Sequence, residues 1–177
     1  MAVINVHDKE FETYLSSESI DQRVKEMADA INKDYSGKRP LFIAILNGSF
    51  IFAADLFRHL TIEAELCFIK LASYKGMKSS GKVVTSIGLE EDIFGKDVMI
   101  VEDIVDTGKT LHRFLPKLIH QQPRSLKIAT LLHKPDATEY PLKLDYVGFA
   151  IPDKFVIGYG LDYDGLGRNL KEIYQLK

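Results

Sequence analysis

Two stretches of the chain are apolar almost throughout, which is the pattern of strands buried on both faces. They are Pro40–Leu46, "PLFIAIL", and Asp97–Val101, "DVMIV". Such strands are typical of parallel sheets, because helices cover both faces of these sheets. Shorter apolar or alternating segments predict more strands at Glu63–Tyr74, Val83–Gly88, Ser125–His133, Leu144–Phe149 and Lys154–Tyr159.

Helical patterns fill the spaces between these strands. Residues Ser19–Tyr35 carry apolar side chains at helical spacing, with Ser19 and Gln22 as a capping box and Gly37 as the stop. The other helical segments are Phe50–Leu60 and Thr107–Gln121. Strands alternating with helices predict an α/β fold with a mainly parallel sheet, whose ligands bind at the carboxyl ends of the strands.

Composition and charge narrow the functional classes. The chain has 177 residues, of which 46% are hydrophobic and 27% charged, and no repeat or linker divides it, so residues 1–177 are expected to form one domain. The net charge of -2 favours binding neither to nucleic acid nor to an acidic membrane surface. No segment has the apolar length of a transmembrane helix or the pattern of a signal peptide. The lone Cys67 fits a reducing compartment, so we expect a cytoplasmic protein.

The stretch Val101–Thr110, "VEDIVDTGKT", combines carboxylates with a turn suited to phosphate. The strand is expected to end at Val101, which places Glu102 and Asp103 together at the edge of the sheet. Adjacent carboxylates repel each other unless hydroxyl groups or a cation satisfy them, as a sugar diol or Mg²⁺ would. The turn Asp106–Thr110 then offers free backbone N–H groups, two threonine hydroxyls and a glycine, which together suit a phosphate group.

A ligand that carries a phosphate near vicinal hydroxyls or a metal would satisfy both halves, and ribose 5-phosphate has this form. A Walker nucleotide loop is excluded, because "GKT" at Gly108–Thr110 would need glycine where the chain has Asp103. The segment Asp162–Gly167, "DYDGLG", is not a calcium loop, because the last position of such a loop would be Ile173 and not glutamate. The five histidines show no metal-binding spacing.

The stretch "VMIVEDIVDTGKTL" resembles the phosphoribosyl-pyrophosphate signature of the type I phosphoribosyltransferase family, in a form similar to that of its hypoxanthine-guanine branch. Further blocks match in the expected order between about Pro40 and Leu170, namely "LNGSFIFAADL", "KLASYKG", "TLLHKP" and "VGFAIPDKFVIGYGLDYDGLGRNL". The resemblance implies an α/β fold with a mainly parallel sheet flanked by helices, a small hood and a mobile lid loop.

The resemblance also implies an activity. Such an enzyme transfers the 5-phosphoribosyl group from phosphoribosyl pyrophosphate to a 6-oxopurine base, which is hypoxanthine, guanine or xanthine, and releases pyrophosphate. The reaction belongs to purine salvage and depends on Mg²⁺. The family resemblance further implies a homodimer or homotetramer.

Roles for individual residues follow from the same resemblance. Asp106 would be the catalytic general acid/base, facing the imidazole ring nitrogen of the purine. The ribose and 5-phosphate would be bound by Glu102, Asp103, Asp106, Thr107, Gly108, Lys109 and Thr110. The purine would be bound by Lys134, Lys154, Phe155, Val156 and Asp162. Within that set, Lys134 would donate to the 6-oxo group and Phe155 would stack on the base.

The remaining roles concern pyrophosphate, metal and lid. Pyrophosphate would be bound by Leu46, Asn47, Gly48 and Arg168, and Mg²⁺ by Glu102, Asp103 and Asp162. Many family members have lysine where this chain has Asn47, so this loop must contact pyrophosphate through backbone amides. The Leu46–Asn47 peptide bond is expected to be cis. Ser73 and Tyr74 would form the tip of the lid, next to a polar segment, Lys75–Lys82, that predicts a mobile surface loop.

Two functions of other classes share parts of this pattern. A regulator that keeps the sugar-phosphate site as a sensor would have a basic surface and a degraded base pocket, whereas Lys134, Phe155 and Asp162 are all present here. A phosphoacceptor receiver domain also uses an acid pair, an aspartate, a threonine and a lysine. Its acid pair and phosphoacceptor lie on different strands, whereas Glu102, Asp103 and Asp106 share one turn in this sequence.

Overall fold

The computed structural model describes residues 2–72 and 84–177. Its strands are Val3–Val6 (β1), Lys9–Leu15 (β2), Leu41–Leu46 (β3), Glu65–Ala72 (β4), Val84–Ile87 (β5), Asp97–Val105 (β6), Ser125–His133 (β7), Tyr146–Ala150 (β8), Val156–Ile157 (β9) and Ile173–Leu176 (β10). Its α-helices are Ser17–Asp34 (α1), Phe50–Arg58 (α2) and Lys109–Ile119 (α3), and Pro135–Ala137 is a short 3₁₀ helix. None of these helices is long and apolar enough to span a membrane.

The larger sheet has six strands in the order β5-β4-β3-β6-β7-β8. The neighbours from β4 to β8 are all parallel, and β5 runs antiparallel to β4. The apolar segments at β3 and β6 form the middle of this sheet, where both faces are covered. The predicted α/β fold with a mainly parallel sheet is therefore confirmed.

Alternate side chains of the central strands lie on opposite faces of the sheet and belong to two separate cores. On one face, Phe42 and Met99 pack with the buried sides of α1 and α2. On the other face, Ile43 and Ile100 pack with the buried side of α3. Each fully buried side chain of this size stabilises the fold by about 1.5 to 3 kcal/mol. This double cover holds the sheet rigid, so the loops at its carboxyl edge start from fixed points.

Helix α1 begins earlier than the sequence pattern indicated. Its N-cap is Ser16, whose side chain accepts a hydrogen bond from the backbone N–H of Ser19 at 3.2 Å. The predicted capping box of Ser19 and Gln22 is therefore wrong, because Ser16 already caps the helix and Gln22 donates instead to Glu26. Gly37 has a φ of 73°, which fits its predicted role after the helix end.

A second sheet of four antiparallel strands, in the order β1-β2-β10-β9, lies beside the first. Its core consists of Phe11, Ile157 and Tyr174. It corresponds to the small hood that the family resemblance implied. The sequence pattern did not identify β1, β2 or β10, and β9 is shorter than the strand predicted at Lys154–Tyr159.

Because the central strands are parallel, β3, β6, β7 and β8 all end at one edge of the larger sheet. β7 has the predicted bounds, but β6 continues to Val105, so the predicted end at Val101 is wrong. Polar segments that the sequence analysis singled out follow β3, β6 and β7 at this edge. The predicted lid residues Ser73 and Tyr74, and the whole predicted loop Lys75–Lys82, lie outside the described residues.

Candidate active site

Two neighbouring carboxylates, Glu102 and Asp103, form what we call the acid pair near the carboxyl end of β6. Glu102 is only 7% exposed. Its pKa is raised well above the usual value, because burial disfavours the charged form and the charge of Asp103 lies beside it. Burial also raises the pKa of Asp103. The expectation that the pair follows the strand is wrong, because the strand continues past both residues, where Glu102 is buried and Asp103 is half-buried.

The acid pair has few partners within the protein. The backbone N–H of Asp103 donates to Glu102 Oε1 at 3.2 Å, and the N–H of Ile104 donates to Asp103 Oδ1 at 2.9 Å. The guanidinium of Arg168 acts on Asp103 through its charge alone. The carboxylate oxygens therefore keep spare capacity for a cation or for hydroxyl groups.

The loop after β3 brings its backbone against the acid pair. A Cβ atom on Gly48 would overlap the carboxylate of Asp103, so only glycine fits while that carboxylate holds its place. A Cβ atom on Gly160 would in turn overlap the carbonyl oxygen of Gly48. The Leu46–Asn47 peptide bond is cis, as expected. The predicted pyrophosphate loop, the acid pair and the segment around Gly160 are thus in direct contact.

The turn between β6 and α3 has the form of an anion site. Gly108 precedes the helix with a φ of 81°, and a Cβ atom there would overlap the carbonyl oxygen of Tyr140. The carbonyl of Thr107 accepts hydrogen bonds from the N–H groups of Glu139 and Tyr140 at 3.1 and 2.9 Å. The turn is therefore fastened on its carbonyl side. The N–H of Lys109, the first residue of α3, donates to Thr107 Oγ1 at 3.3 Å, and the N–H groups that follow in the first turn of the helix can bind an anion. The predicted helix start at Thr107 is two residues early.

Lys134 lies at the end of β7 between two carboxylates. Its ammonium group is 3.3 Å from Asp106 Oδ2 and 3.1 Å from Asp153 Oδ1. Only 8% of its side chain is exposed. Its backbone N–H donates to the carbonyl of Val105 at 2.9 Å. The predicted pair of Asp106 and Lys134 is thus brought together, whereas Asp153 was not singled out in the sequence.

Phe155 presents an aromatic ring at the surface, 45% exposed. Behind it, the ring of Phe11 lies 6.2 Å away and that of Tyr163 lies 5.8 Å away in an edge contact. Val156 follows in β9 and is buried, while the ammonium group of Lys154 donates to Gln175 at 2.9 Å. The exposed ring with buried support has the form of a stacking platform.

Asp162 and Arg168 form a short ion pair, with Arg168 Nη2 2.6 Å from Asp162 Oδ1. Arg168 Nη1 also donates to the carbonyl of Gly160 at 2.7 Å, and the N–H of Gly165 donates to Asp162 Oδ2 at 2.8 Å. Both oxygens of Asp162 are therefore engaged by protein donors. A metal at this carboxylate would have to share its oxygens with these donors and lie beside the positive charge of Arg168.

The acid pair by itself fits Mg²⁺ better than Asp162 does. In residues 2–72 and 84–177, no group of three or more His, Cys, Asp or Glu side chains could hold a metal ion. Mg²⁺ takes oxygen ligands and commonly keeps several waters or substrate phosphate oxygens, so two carboxylates are a sufficient protein contribution. The buried and weakly partnered oxygens of Glu102 and Asp103 match this requirement.

Neither Asp153 nor the rings of Phe11 and Tyr163 was found from the sequence. These residues reach the site only through the fold, because Phe11 comes from the hood and Asp153 from the loop after β8. The sequence held one signal for Asp153. It lies in the block "AIPDKF", after the predicted strand Leu144–Phe149 and directly before Lys154 and Phe155, which were assigned to the base site.

Comparisons with known proteins agree with this geometry. The model of the phosphoribosyl transferase domain family matches residues 11–164. The hypoxanthine phosphoribosyltransferase of Buchnera aphidicola is 47% identical over 152 residues, covering 84% of this chain and 86% of the relative. The hypoxanthine-guanine phosphoribosyltransferase of Lactococcus lactis is 42% identical over 172 residues, covering 96% and 93%. The crystal structure of a hypoxanthine phosphoribosyltransferase from Staphylococcus aureus has a TM-score of 0.89 at 41% identity, covering 94% of this chain and 91% of that chain.

Proposed function

The chain belongs to the phosphoribosyl transferase family, and on that premise we propose that it transfers the 5-phosphoribosyl group from phosphoribosyl pyrophosphate to a 6-oxopurine. The bond between the anomeric carbon and the pyrophosphate oxygen breaks, and a bond from that carbon to a purine ring nitrogen forms. The products are pyrophosphate and a nucleoside monophosphate, IMP or GMP. The reaction serves purine salvage.

The observation that carries the substrate class is the contact between Lys134 and Asp106, with 3.3 Å between their charged groups. It places a hydrogen-bond donor beside a proton acceptor. A 6-oxopurine offers the matching groups, an oxo acceptor and a ring nitrogen that carries or takes a proton. Adenine has an amino donor at the same position, which would face the ammonium group of Lys134 unfavourably.

In the proposed base site, Asp106 acts as general acid/base at the imidazole ring nitrogen, and Lys134 donates to the 6-oxo group. Phe155 stacks on the base, which its exposed ring and buried support favour. The backbone of Lys154 and Val156 reads the edge of the base, and Asp162 contributes to purine binding. Holding the base in attacking geometry can contribute roughly 7 to 11 kcal/mol at best.

The ribose, its 5-phosphate and its pyrophosphate would occupy the other half of the site. The 5-phosphate binds the turn of Asp106, Thr107, Gly108, Lys109 and Thr110, where the N–H of Lys109 would exchange its contact with Thr107 Oγ1 for a phosphate oxygen. The ribose hydroxyls bind the acid pair. Pyrophosphate binds the backbone of Leu46, Asn47 and Gly48 together with Arg168, whose guanidinium carries the nearby positive charge.

Mg²⁺, when bound, would neutralise charge on the leaving pyrophosphate. Glu102 and Asp103 would hold one ion, and Asp162 a second after exchange of its contact with Arg168. The transition state has oxocarbenium character and would be trapped by water, so exclusion of solvent is required. Ser73 and Tyr74 would provide it as the tip of a closing lid.

We further propose that residues 1–177 act as one domain, which the family match over residues 11–164 supports, since it spans all of the larger sheet. We propose a homodimer or homotetramer in the cytoplasm. Cys67, buried and without a disulfide partner, suits that compartment. Light scattering after size-exclusion chromatography would measure the oligomeric state, and a monomer at micromolar concentration would contradict it.

Initial rates with phosphoribosyl pyrophosphate and Mg²⁺, offered hypoxanthine, guanine, xanthine and adenine separately, test the activity. We expect turnover of one or more oxopurines and none of adenine. Binding of phosphoribosyl pyrophosphate without turnover of any base would instead favour a sensor. Lys134→Gln should chiefly reduce discrimination at the 6-oxo group, whereas Lys143→Gln, at a side chain 88% exposed, is the matched control.

A further inference from the structure

Lys134 has two carboxylate partners, and the reaction proposed above uses only one of them. Asp106 Oδ2 lies 3.3 Å from the ammonium nitrogen and Asp153 Oδ1 lies 3.1 Å from it. The lysine side chain is 8% exposed, while that of Asp153 is 66% exposed. A nearly buried ammonium group needs a partner at every stage of a reaction, because an uncompensated buried charge is unfavourable.

We infer that Asp153 is a positioning residue, whose carboxylate holds the Lys134 ammonium at the 6-oxo group while Asp106 engages the purine ring nitrogen. The inference rests on the role proposed for Lys134. An ammonium group has three N–H donors. Two reach the two carboxylates, and one remains for the oxo group of the base.

Charge balance explains why a second carboxylate is useful. Lys134, Asp106 and Asp153 together carry a charge of -1 when both acids are ionised. When Asp106 takes a proton from the base, Lys134 and Asp153 remain as a neutral pair. Without Asp153, the same proton transfer would leave the nearly buried ammonium group without a carboxylate partner. Asp153 therefore holds Lys134 in place, while Asp106 transfers the proton.

The loop that carries Asp153 also fixes its position relative to the base. The backbone N–H of Ile151 donates to the carbonyl of His133 at 2.8 Å, which joins the start of this loop to the end of β7 next to Lys134. Phe155, the proposed stacking platform, follows two residues after Asp153. The neighbouring Lys154 does not compete for Asp153, since its ammonium group donates to Gln175. One loop thus sets both the stacking ring and the donor to the 6-oxo group.

Asp153→Ala is expected to raise the KM for hypoxanthine and guanine by roughly three- to tenfold, less than for a buried pair because solvent screens this exposed carboxylate. The KM for phosphoribosyl pyrophosphate and the melting temperature should not change. Asp153→Asn, which keeps an acceptor oxygen but loses the charge, should raise the oxopurine KM in the same direction. Asp136→Ala is the matched control, because Asp136 is exposed, two residues from Lys134, and forms no ion pair with the described residues.

The decisive comparison uses the Lys134→Gln background. If Asp153 acts through Lys134, adding Asp153→Ala to Lys134→Gln should change the oxopurine KM by less than about twofold, because the coupled partner is already gone. An equal rise in both backgrounds would overturn the inference and assign Asp153 a general role in the loop. An unchanged KM for Asp153→Ala alone, with a raised KM for Lys134→Gln, would overturn only this inference. An unchanged oxopurine KM for Lys134→Gln would overturn the role of Lys134 as well.

Discussion

Replacing Glu102 with glutamine is expected to make the metal-free protein more stable while weakening its site. The carboxylate of Glu102 is buried and lies beside that of Asp103, and its pKa is raised for both reasons. Its hydrogen-bond partners are the backbone N–H of Asp103, at 3.2 Å, and the carboxyl group of Asp103. Glutamine keeps an acceptor for that donor, removes the charge, and supplies an amide N–H₂ group that can donate to Asp103.

The size of the effect follows from the poor compensation of this carboxylate. A buried polar group that lacks its partners typically costs about 1 to 3 kcal/mol. For a chain of 177 residues, a change of 1 kcal/mol shifts the melting temperature by about 2 to 4 °C. We therefore expect Glu102→Gln to melt roughly 2 to 12 °C above the parent protein at alkaline pH.

The gain in stability of Glu102→Gln over the parent protein is expected to increase with pH. Because the pKa of Glu102 is raised on folding, the folded protein holds a proton that the unfolded chain has released above about pH 4.3. The destabilisation is absent below that pH and grows as the pH rises through the folded-state pKa. The difference between variant and parent should therefore be small near pH 5 and larger near pH 8.

Thermal melts in the presence of a chelator, at several pH values, measure this difference. Glu63→Gln is the control, because Glu63 is exposed and far from the acid pair. Addition of Mg²⁺ and phosphoribosyl pyrophosphate should stabilise the parent more than the variant, since ligand binding raises stability according to affinity. A variant less stable than the parent at every pH, or a gain equal at pH 5 and pH 8, would refute the reasoning.

Three further substitutions test other parts of the site. Asp106→Asn should lower kcat by about 10²- to 10⁴-fold in initial-rate assays with the fold intact, because an amide cannot accept the proton; unchanged turnover would contradict its role. Gly48→Ala should weaken binding of phosphoribosyl pyrophosphate in calorimetry, because the added Cβ overlaps the Asp103 carboxylate; parent-like affinity would mean that this carboxylate is free to move. Arg168→Lys should raise the KM for phosphoribosyl pyrophosphate roughly tenfold, because an ammonium group cannot replace the two-pronged contacts of a guanidinium; an unchanged KM would remove Arg168 from the pyrophosphate site.

The sequence pattern predicted the central strands and failed at the hood for a physical reason. β3 and the first part of β6 lie in the middle of a sheet covered on both faces, so their sequences are runs of consecutive apolar residues. β2 has a single buried position, Phe11, and pairs with β10 from the opposite end of the chain. Such a strand is stabilised by a partner far away in the sequence, so the local pattern of apolar residues does not predict it.

The site residues also fall into those that the sequence predicts and those that only the fold brings together. Asp106, Lys134 and Phe155 could be assigned because they lie in sequence blocks that resemble a known family. Asp153 could not be assigned, since its link to Lys134 arises only when the loop after β8 meets the end of β7. The end of β6 was predicted too early because charged residues seldom continue a buried strand.

The failed strand end at Val101 explains how the acid pair works. Glu102 and Ile104 pair with Thr130 and Leu132 of β7, so the pairing with β7 just before and just after Asp103 fixes the backbone that carries the carboxylates. A loop would let the two charges move apart and reach water, whereas the strand holds them together and keeps their pKa values raised. Binding of a cation or of ribose hydroxyls would relieve this repulsion, so affinity for ligand and instability without it have the same origin. The Glu102→Gln variant tests this common origin, because it should be more stable without ligand and bind ligand less tightly.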